Sequence, residues 1–210
     1  HGVLVISDEI HSDFIYPEYK HHVFASLAPE YADITVTCTS PSKTFNLAGL
    51  QVSNIFIPNP GLRRAFRREI AAVGYSQVHP MGLAACQEAY ESGEEWLTQV
   101  KNYLAGNLAY VRAYLQENLP RIKLIEPEGT YLLWLDFREL HLTEAQREEL
   151  LVKKARLWLD SGALFGEEGI GFERINIACP RRILEQALEQ LKEAIVERFE
   201  TADEGIEQSA

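Results

Sequence analysis

The sequence predicts an α/β chain: a sheet portion over residues 1–95, a small α+β domain over 96–200 and an acidic tail over 201–210. Three observations carry this. The chain opens on Val3-Leu4-Val5-Ile6, an apolar, β-rich run without polar alternation, as in a strand buried within a parallel sheet. A long helix then divides the chain, with Trp96, Val100, Leu104, Leu108, Val111 and Leu115 at helical spacing. Beyond it, short strands and helices alternate in the manner of a small sheet covered by helices. Too few strands follow the first to complete a doubly wound sheet, so the sequence is expected to begin inside a domain.

The elements follow in order. Val3–Ile6 reads as a buried strand ending at Asp8-Glu9, and residues 12–32 read as loop, with Pro17, His21-His22 and Pro29. Ile34–Thr39 is β-branched and alternating, hence a second strand, broken by Ser40-Pro41-Ser42-Lys43. Leu50–Ile57 reads as a third strand, stopped by Pro58-Asn59-Pro60. Helices are expected over about 62–72, 81–92 and 95–118, the last ended by Pro120. Ile122–Ile125 and Tyr131–Phe137 read as strands. Thr143 caps a helix expected to reach about Asp160, without a Glu at the third following position. A loop with Gly162, Gly166, Gly169 and Gly171 leads to a strand over Arg174–Ala178. Arg181–Phe199 closes the chain as a helix with Leu184, Leu188, Leu191 and Ile195 on one face, and the acidic tail is expected to fray.

Composition excludes several function classes. Hydrophobic residues make up 46% and charged residues 24%, which suits a folded domain and not a disordered chain. A net charge of −11 argues against nucleic acid, whose phosphates demand positive charge. No apolar run of about 18 residues is present, so no membrane span is expected. Three cysteines without CxxC spacing, Cys38, Cys86 and Cys179, predict buried core thiols in a reducing cytoplasm. No metal site is expected: His21 and His22 are adjacent, without a carboxylate or cysteine at ligand spacing beside them. The four arginines of residues 63–68 read as a solvated face.

A few residues could carry chemistry. Asp8 sits where a strand runs out, the side of an open α/β sheet on which ligands bind, although a carboxylate there can equally cap a turn. His11, three residues on, could reach the same pocket. Lys43 also follows a strand, and a lysine so placed can bond covalently to a carbonyl group, while Ser40 and Ser42 could hold a phosphate. Taken together, a carboxylate for a pyridinium N–H, a lysine for an aldehyde and hydroxyls for a phosphate are what pyridoxal phosphate requires. Arg174 opens a strand and could grip a carboxylate bidentately, or serve as a surface arginine at a strand edge.

Three stretches carry a resemblance: Ser7-Asp8-Glu9-Ile10-His11-Ser12-Asp13, Ser40-Pro41-Ser42-Lys43-Thr44-Phe45-Asn46-Leu47-Ala48-Gly49-Leu50, and Arg174-Ile175-Asn176-Ile177-Ala178-Cys179-Pro180-Arg181. In order and spacing they resemble the class I/II aminotransferase superfamily of fold type I pyridoxal-phosphate enzymes, and within it the MalY/PatB-type cystathionine β-lyases, or C–S β-lyases. The resemblance implies the C-terminal portion of the aspartate-aminotransferase-like large domain, followed by the small domain. It implies that Lys43 bonds to the cofactor and shuttles protons, and that Asp8 pairs with the pyridine nitrogen. It places His11 near the ring hydroxyl, Ser40 and Ser42 at the phosphate, and Arg174 at the substrate α-carboxylate.

Two departures from the aminotransferase pattern agree with the lyase branch: Gln51 stands where many aminotransferases have a phosphate-binding arginine, and His11 where they have a tyrosine. Family chains are roughly twice as long, so a glycine-containing phosphate loop, a ring-stacking aromatic and an asparagine are expected to lie outside this sequence. The implied reaction is α,β-elimination of cystathionine or other cysteine S-conjugates to pyruvate, ammonia and a thiol, in a cytoplasmic homodimer of sulfur amino-acid metabolism. The alternatives are an aminotransferase on the same scaffold and, in another class, a non-catalytic chain that self-associates through exposed sheet edges.

Overall fold

β-branched alternation makes Thr35–Thr39 (β2) the central strand of a three-stranded sheet, ordered β1-β2-β3. Strand β1 (Val5–Asp8) pairs with it in parallel, Asp8 opposite Cys38, and β3 (Asn54–Phe56) pairs antiparallel, Thr39 opposite Asn54. The computed structural model describes residues 2–75 and 77–207, with side chains described through residue 199. The chain divides into two compact units, His1–Lys101 with Glu128–Thr130, and Asn102–Pro127 with Tyr131–Ala210.

In the first unit a parallel β1–β2 pair needs a crossover. Residues 9–34 supply it and contain a 3₁₀ turn, Phe24–Ser26, and a short helix α1 (Pro29–Asp33) where loop was expected. The expectation of a fully buried first strand is overturned: Val3, Leu4 and Ile6 are 65%, 56% and 76% exposed. Strand β1 has a neighbour on one side only, and the face carrying Ile6 and Asp8 is uncovered among the described residues. The third strand is also shorter than expected, because Ala48–Leu50 forms a 3₁₀ turn and Gln51 takes a left-handed conformation, φ +51°. Helix α2 (Pro41–Thr44) follows β2, and α3 (Pro60–Ala72) begins under Asn59, whose side chain accepts from the amides of Gly61 and Leu62. On α3, Arg63 donates to the Ile57 carbonyl at 2.7 Å, so it pins the preceding strand as well as facing solvent. Next come α4 (Pro80–Ser92) and α5 (Glu94–Asn118), within which the division between units falls. The apolar interior is thin here: Phe14, Tyr16, Val52 and Ile57 are buried beside polar Thr35, Thr37, Ser40 and Thr44.

The second unit is built around a thicker core. Strands β4 (Lys123–Ile125), β5 (Leu132–Asp136), β6 (Asp160–Ser161) and β7 (Phe172–Asn176) form an antiparallel sheet ordered β4-β5-β7-β6. Period-two alternation sends Leu133, Leu135 and Ile175 inward. They join Leu104, Leu108, Val111 and Leu115 of α5, and Leu184, Leu188 and Leu191 of α7 (Arg181–Glu207), in the core. Asn107 is fully buried and holds the chain after β7: its amide donates to the carbonyls of Ile177 and Cys179, and its oxygen accepts from Arg181.

Thr143 does begin a capping box, with Gln146 in the role expected of Glu. The helix it opens does not reach Asp160: α6 (Glu144–Glu148) passes into a π-helical turn over Glu149–Lys154, and Arg156 turns left-handed at φ +57°. The wider turn buries the adjacent Leu150 and Leu151 together, and freed residues then reach β6. The three thiols are half-buried and free, not core groups. Burial pushes Cys38 and Cys179 up from the ordinary thiol range, and the Asp8 carboxylate adds to the effect at Cys38. Helix α7 continues past Phe199 to Glu207, and the last tail residues, 208–210, lie outside the described residues.

Candidate active site

Strands β1 and β2 run parallel and end at the same side of their sheet, which puts Asp8 and the Ser40–Lys43 turn at one edge. The parallel bonding continues one residue past β1, where the Glu9 amide donates to the Cys38 carbonyl at 2.8 Å. One Asp8 oxygen accepts from the Ile10 amide at 3.1 Å, which restrains the carboxylate of this exposed residue. Asp8 and Lys43 are both exposed, and neither enters an ion pair among the described residues. An anion and a cation left open at one sheet edge suit a ligand bearing both charges.

The turn after β2 is closely held. Ser40 is buried and caps α2, its hydroxyl oxygen accepting from the Ser42 amide at 3.0 Å. The single Ser40 proton goes to the Val52 carbonyl at 2.6 Å. In the short contact between the two hydroxyls Ser42 is therefore the donor, and its proton can be redirected without disturbing the cap. Thr44, also buried, donates to Asp13 at 2.7 Å, tying α2 to the segment after β1. His11 lies in that segment with its ring tilted against Phe14, centroids 6.5 Å apart.

Arg174 belongs to the second unit, on the solvent side of β7. Its Nε and Nη2 donate to Asp160 of β6, at 3.1 and 2.8 Å, and its guanidinium lies 4.7 Å from the Phe165 ring centre. Asp160 therefore lies in a strand, and not at the end of the helix opened by Thr143, and is the partner of Arg174.

Two further groups were missed. Glu9 is buried, accepts from the Ser7 hydroxyl at 2.7 Å and pairs with His21, so one of the two adjacent histidines does have a carboxylate beside it. Glu173 lies on the core face of β7, paired at 2.7 Å with the buried Arg147 of α6. Strict alternation through Glu173 and Ile175 was the available signal, since a carboxylate on a core face needs a partner. Among the described residues no group of three or more His, Cys, Asp or Glu is placed to hold a metal, and no helix is long and apolar enough to cross a membrane.

Comparison with known proteins identifies the family. The family model for aminotransferase class I and II matches residues 1–191. Cystathionine beta-lyase PatB of Bacillus subtilis (strain 168) is 40% identical over 195 residues, which is 93% of this chain and 50% of PatB. Protein MalY of Escherichia coli (strain K12) is 34% identical over 197 residues, 93% of this chain and 50% of MalY. The crystal structure of cystalysin from Treponema denticola, which contains pyridoxal 5′-phosphate, matches with a TM-score of 0.90 at 40% identity, over 93% of this chain and 50% of that one. The chain therefore spans about half the length of the curated relatives it matches. With the motif order, the fold and the family model in agreement, the chain belongs to the class I and II aminotransferase family.

Proposed function

We propose that this chain supplies the lysine-bearing half of a pyridoxal-phosphate-dependent C–S β-lyase, which eliminates a thiol from cystathionine or another cysteine S-conjugate and leaves pyruvate and ammonia. The observation that carries cofactor binding is the open Asp8–Lys43 pair with the Ser40–Ser42 turn at the carboxyl ends of two parallel strands. The choice of lyase over aminotransferase rests on likeness to PatB and on Gln51, which is left-handed and uncharged where an aminotransferase arginine would stand. The same reading includes a cytoplasmic homodimer.

Pyridoxal phosphate, when bound, supplies an electron sink for charge that develops at the substrate α-carbon. Lys43 would hold the cofactor aldehyde through Nζ, and the same nitrogen, when free and neutral, would take the α-proton. Asp8 would accept from the ring N–H and keep that proton in place through its negative charge. Ser42 donates to the phosphate, and Ser40 shapes the turn and can add its own hydroxyl by releasing the Val52 carbonyl. His11 would stand near the ring hydroxyl. Arg174 binds the α-carboxylate.

The test uses the full-length enzyme that carries this chain. Incubated with an S-alkyl cysteine and no keto acid, it is expected to release pyruvate and thiol in equal amounts, and borohydride is expected to fix the cofactor to Lys43 alone. Turnover that needs a keto-acid acceptor would make it an aminotransferase; label scattered over surface lysines would remove the site assignment.

One observation favours a second reading for the 210-residue chain by itself. Among the described residues strand β1 pairs on one side only, with Ile6 within it and Val3 and Leu4 just before it exposed, and such an edge is a template for pairing. The isolated chain is expected to self-associate at micromolar concentration in analytical ultracentrifugation. A monodisperse monomer would count against that.

A further inference from the structure

On the outer face of the second unit's sheet two side chains hold Arg174, Asp160 and Phe165. In the β6–β7 register Asp160 stands opposite Arg174, so the two side chains share a face. A guanidinium has five N–H donors in a rigid fork. Asp160 uses a single oxygen, Oδ2, to take Nε–H and one hydrogen of Nη2. That fixes the plane of the fork and leaves the Nη1–Nη2 edge without a hydrogen-bond partner among the described residues, the edge that a carboxylate grips with two parallel bonds. Phe165 covers one face of the fork, and Trp134, opposite Arg174 on β5, meets Phe165 edge-on at 5.4 Å.

The loop that presents Phe165 is held by two glycines. A Cβ on Gly162 would lie 2.1 Å from the Gly169 carbonyl oxygen, and one on Gly169 would lie 2.0 Å from that of Gly162. Only glycine at both positions permits this approach, which closes the loop around residues 163–168. The side chains of Arg174 and Asp160 are 32% and 48% exposed, and an ion pair so open to water adds little to folding stability. Its geometry is better suited to aiming the guanidinium.

We infer that Asp160 is the positioning residue for Arg174, orienting its free edge for the α-carboxylate of an amino-acid substrate, with Phe165 as the second restraint. This rests on the proposed role of Arg174 as the carboxylate anchor. The expected effect is on binding and confined to substrates that carry the carboxylate. In the full-length enzyme, Asp160→Asn and Asp160→Ala are expected to raise KM for an S-alkyl cysteine about 10-fold and leave kcat within about threefold. KM for the corresponding carboxamide, which offers Arg174 no anion, should not move.

A cofactor-independent readout is available in the ¹⁵N-labelled chain. The Arg174 Nε–H signal, assigned by its loss in Arg174→Lys, is expected to exchange with water about 10-fold faster in Asp160→Ala. If Arg174→Lys leaves KM for the acid unchanged, the anchor role of Arg174 fails. If Arg174→Lys raises KM but neither Asp160 variant does, the anchor stands and the positioning role is overturned. An equal rise for acid and carboxamide would also overturn it, since that is the mark of general damage to the fold.

Discussion

Replacing Lys43 with alanine is expected to lower turnover of an S-alkyl cysteine by about 10³-fold or more in the full-length enzyme, because one amine is asked both to hold the cofactor and to move the α-proton. The substitution should cost little in folding. Lys43 is exposed, enters no ion pair among the described residues and lies on α2 between the buried Pro41 and Thr44, which do the packing. The melting temperature is therefore expected to stay within about 2 °C of the parent, the effect of a surface change of about 0.5 kcal/mol. Arginine at this position keeps the charge but stays protonated at every working pH, so Lys43→Arg should be as inactive as Lys43→Ala. A small primary amine added to Lys43→Ala should restore part of the proton-transfer rate, and the restored rate should rise with the fraction of that amine in its neutral form. Substantial turnover in Lys43→Ala without added amine would remove Lys43 from the chemistry.

The groups of this candidate site that sequence made legible are those whose position along the chain matters more than their packing. Asp8 and Lys43 were visible because each follows an extended run, and parallel pairing of two such runs brings their ends together without further information. Arg174 was visible as a residue, but its surroundings were not. Asp160 lies 14 residues away, in a strand only two residues long, and a helix pattern continued from Thr143 runs straight over it. The π-helical turn that ends that pattern has no simple periodicity, since it exists to place Leu150 and Leu151 in one core. The Ser40 hydroxyl is a comparable case. Its bond to the Val52 carbonyl depends on how the chain returns after α2, which no local spacing encodes.

The fold divides in the same way. Helices α5 and α7 begin close to where apolar periodicity predicts them, because i, i+4 burial is local and repeated, and α3 begins at Pro60, where the proline-rich break predicts a helix start. Strand β1 was misread for a different reason. An apolar run records that a face is built to be covered, and it carries no information on whether the covering element is in the sequence at hand. Ile6 is 76% exposed in a chain that spans about half the length of its relatives. The pattern was read correctly as apolar and incorrectly as buried.

Removing the Arg147 side chain is the change expected to cost most in stability. Arg147 is 2% exposed and Glu173 is 3% exposed, Nε meets Glu173 Oε1 at 2.7 Å, and Nη2 also donates to Glu144. Arg147→Ala leaves the Glu173 carboxylate buried beneath the sheet without its cation, a loss of about 3–5 kcal/mol. That is a large part of a stability of about 5–15 kcal/mol, so urea denaturation of the chain should show the midpoint falling by at least about a fifth.

The pH dependence identifies the cause. Burial raises the Glu173 carboxyl above its ordinary range, and the bonds from Arg147 only partly offset it. A carboxyl raised in the folded state favours folding below its unfolded pKa, and that contribution is lost as pH climbs through the folded value. Arg147→Ala removes the offset and raises the carboxyl further, so its penalty should be smallest near the unfolded glutamate pKa of about 4.3 and grow toward neutrality. Loss of packing alone would give a penalty independent of pH. The double change Arg147→Met with Glu173→Leu removes both charges and fills similar volume, and it should recover most of the lost stability. A double variant as unstable as Arg147→Ala, with a flat pH profile in both, would show that the guanidinium acts there as packing and not as the partner of Glu173.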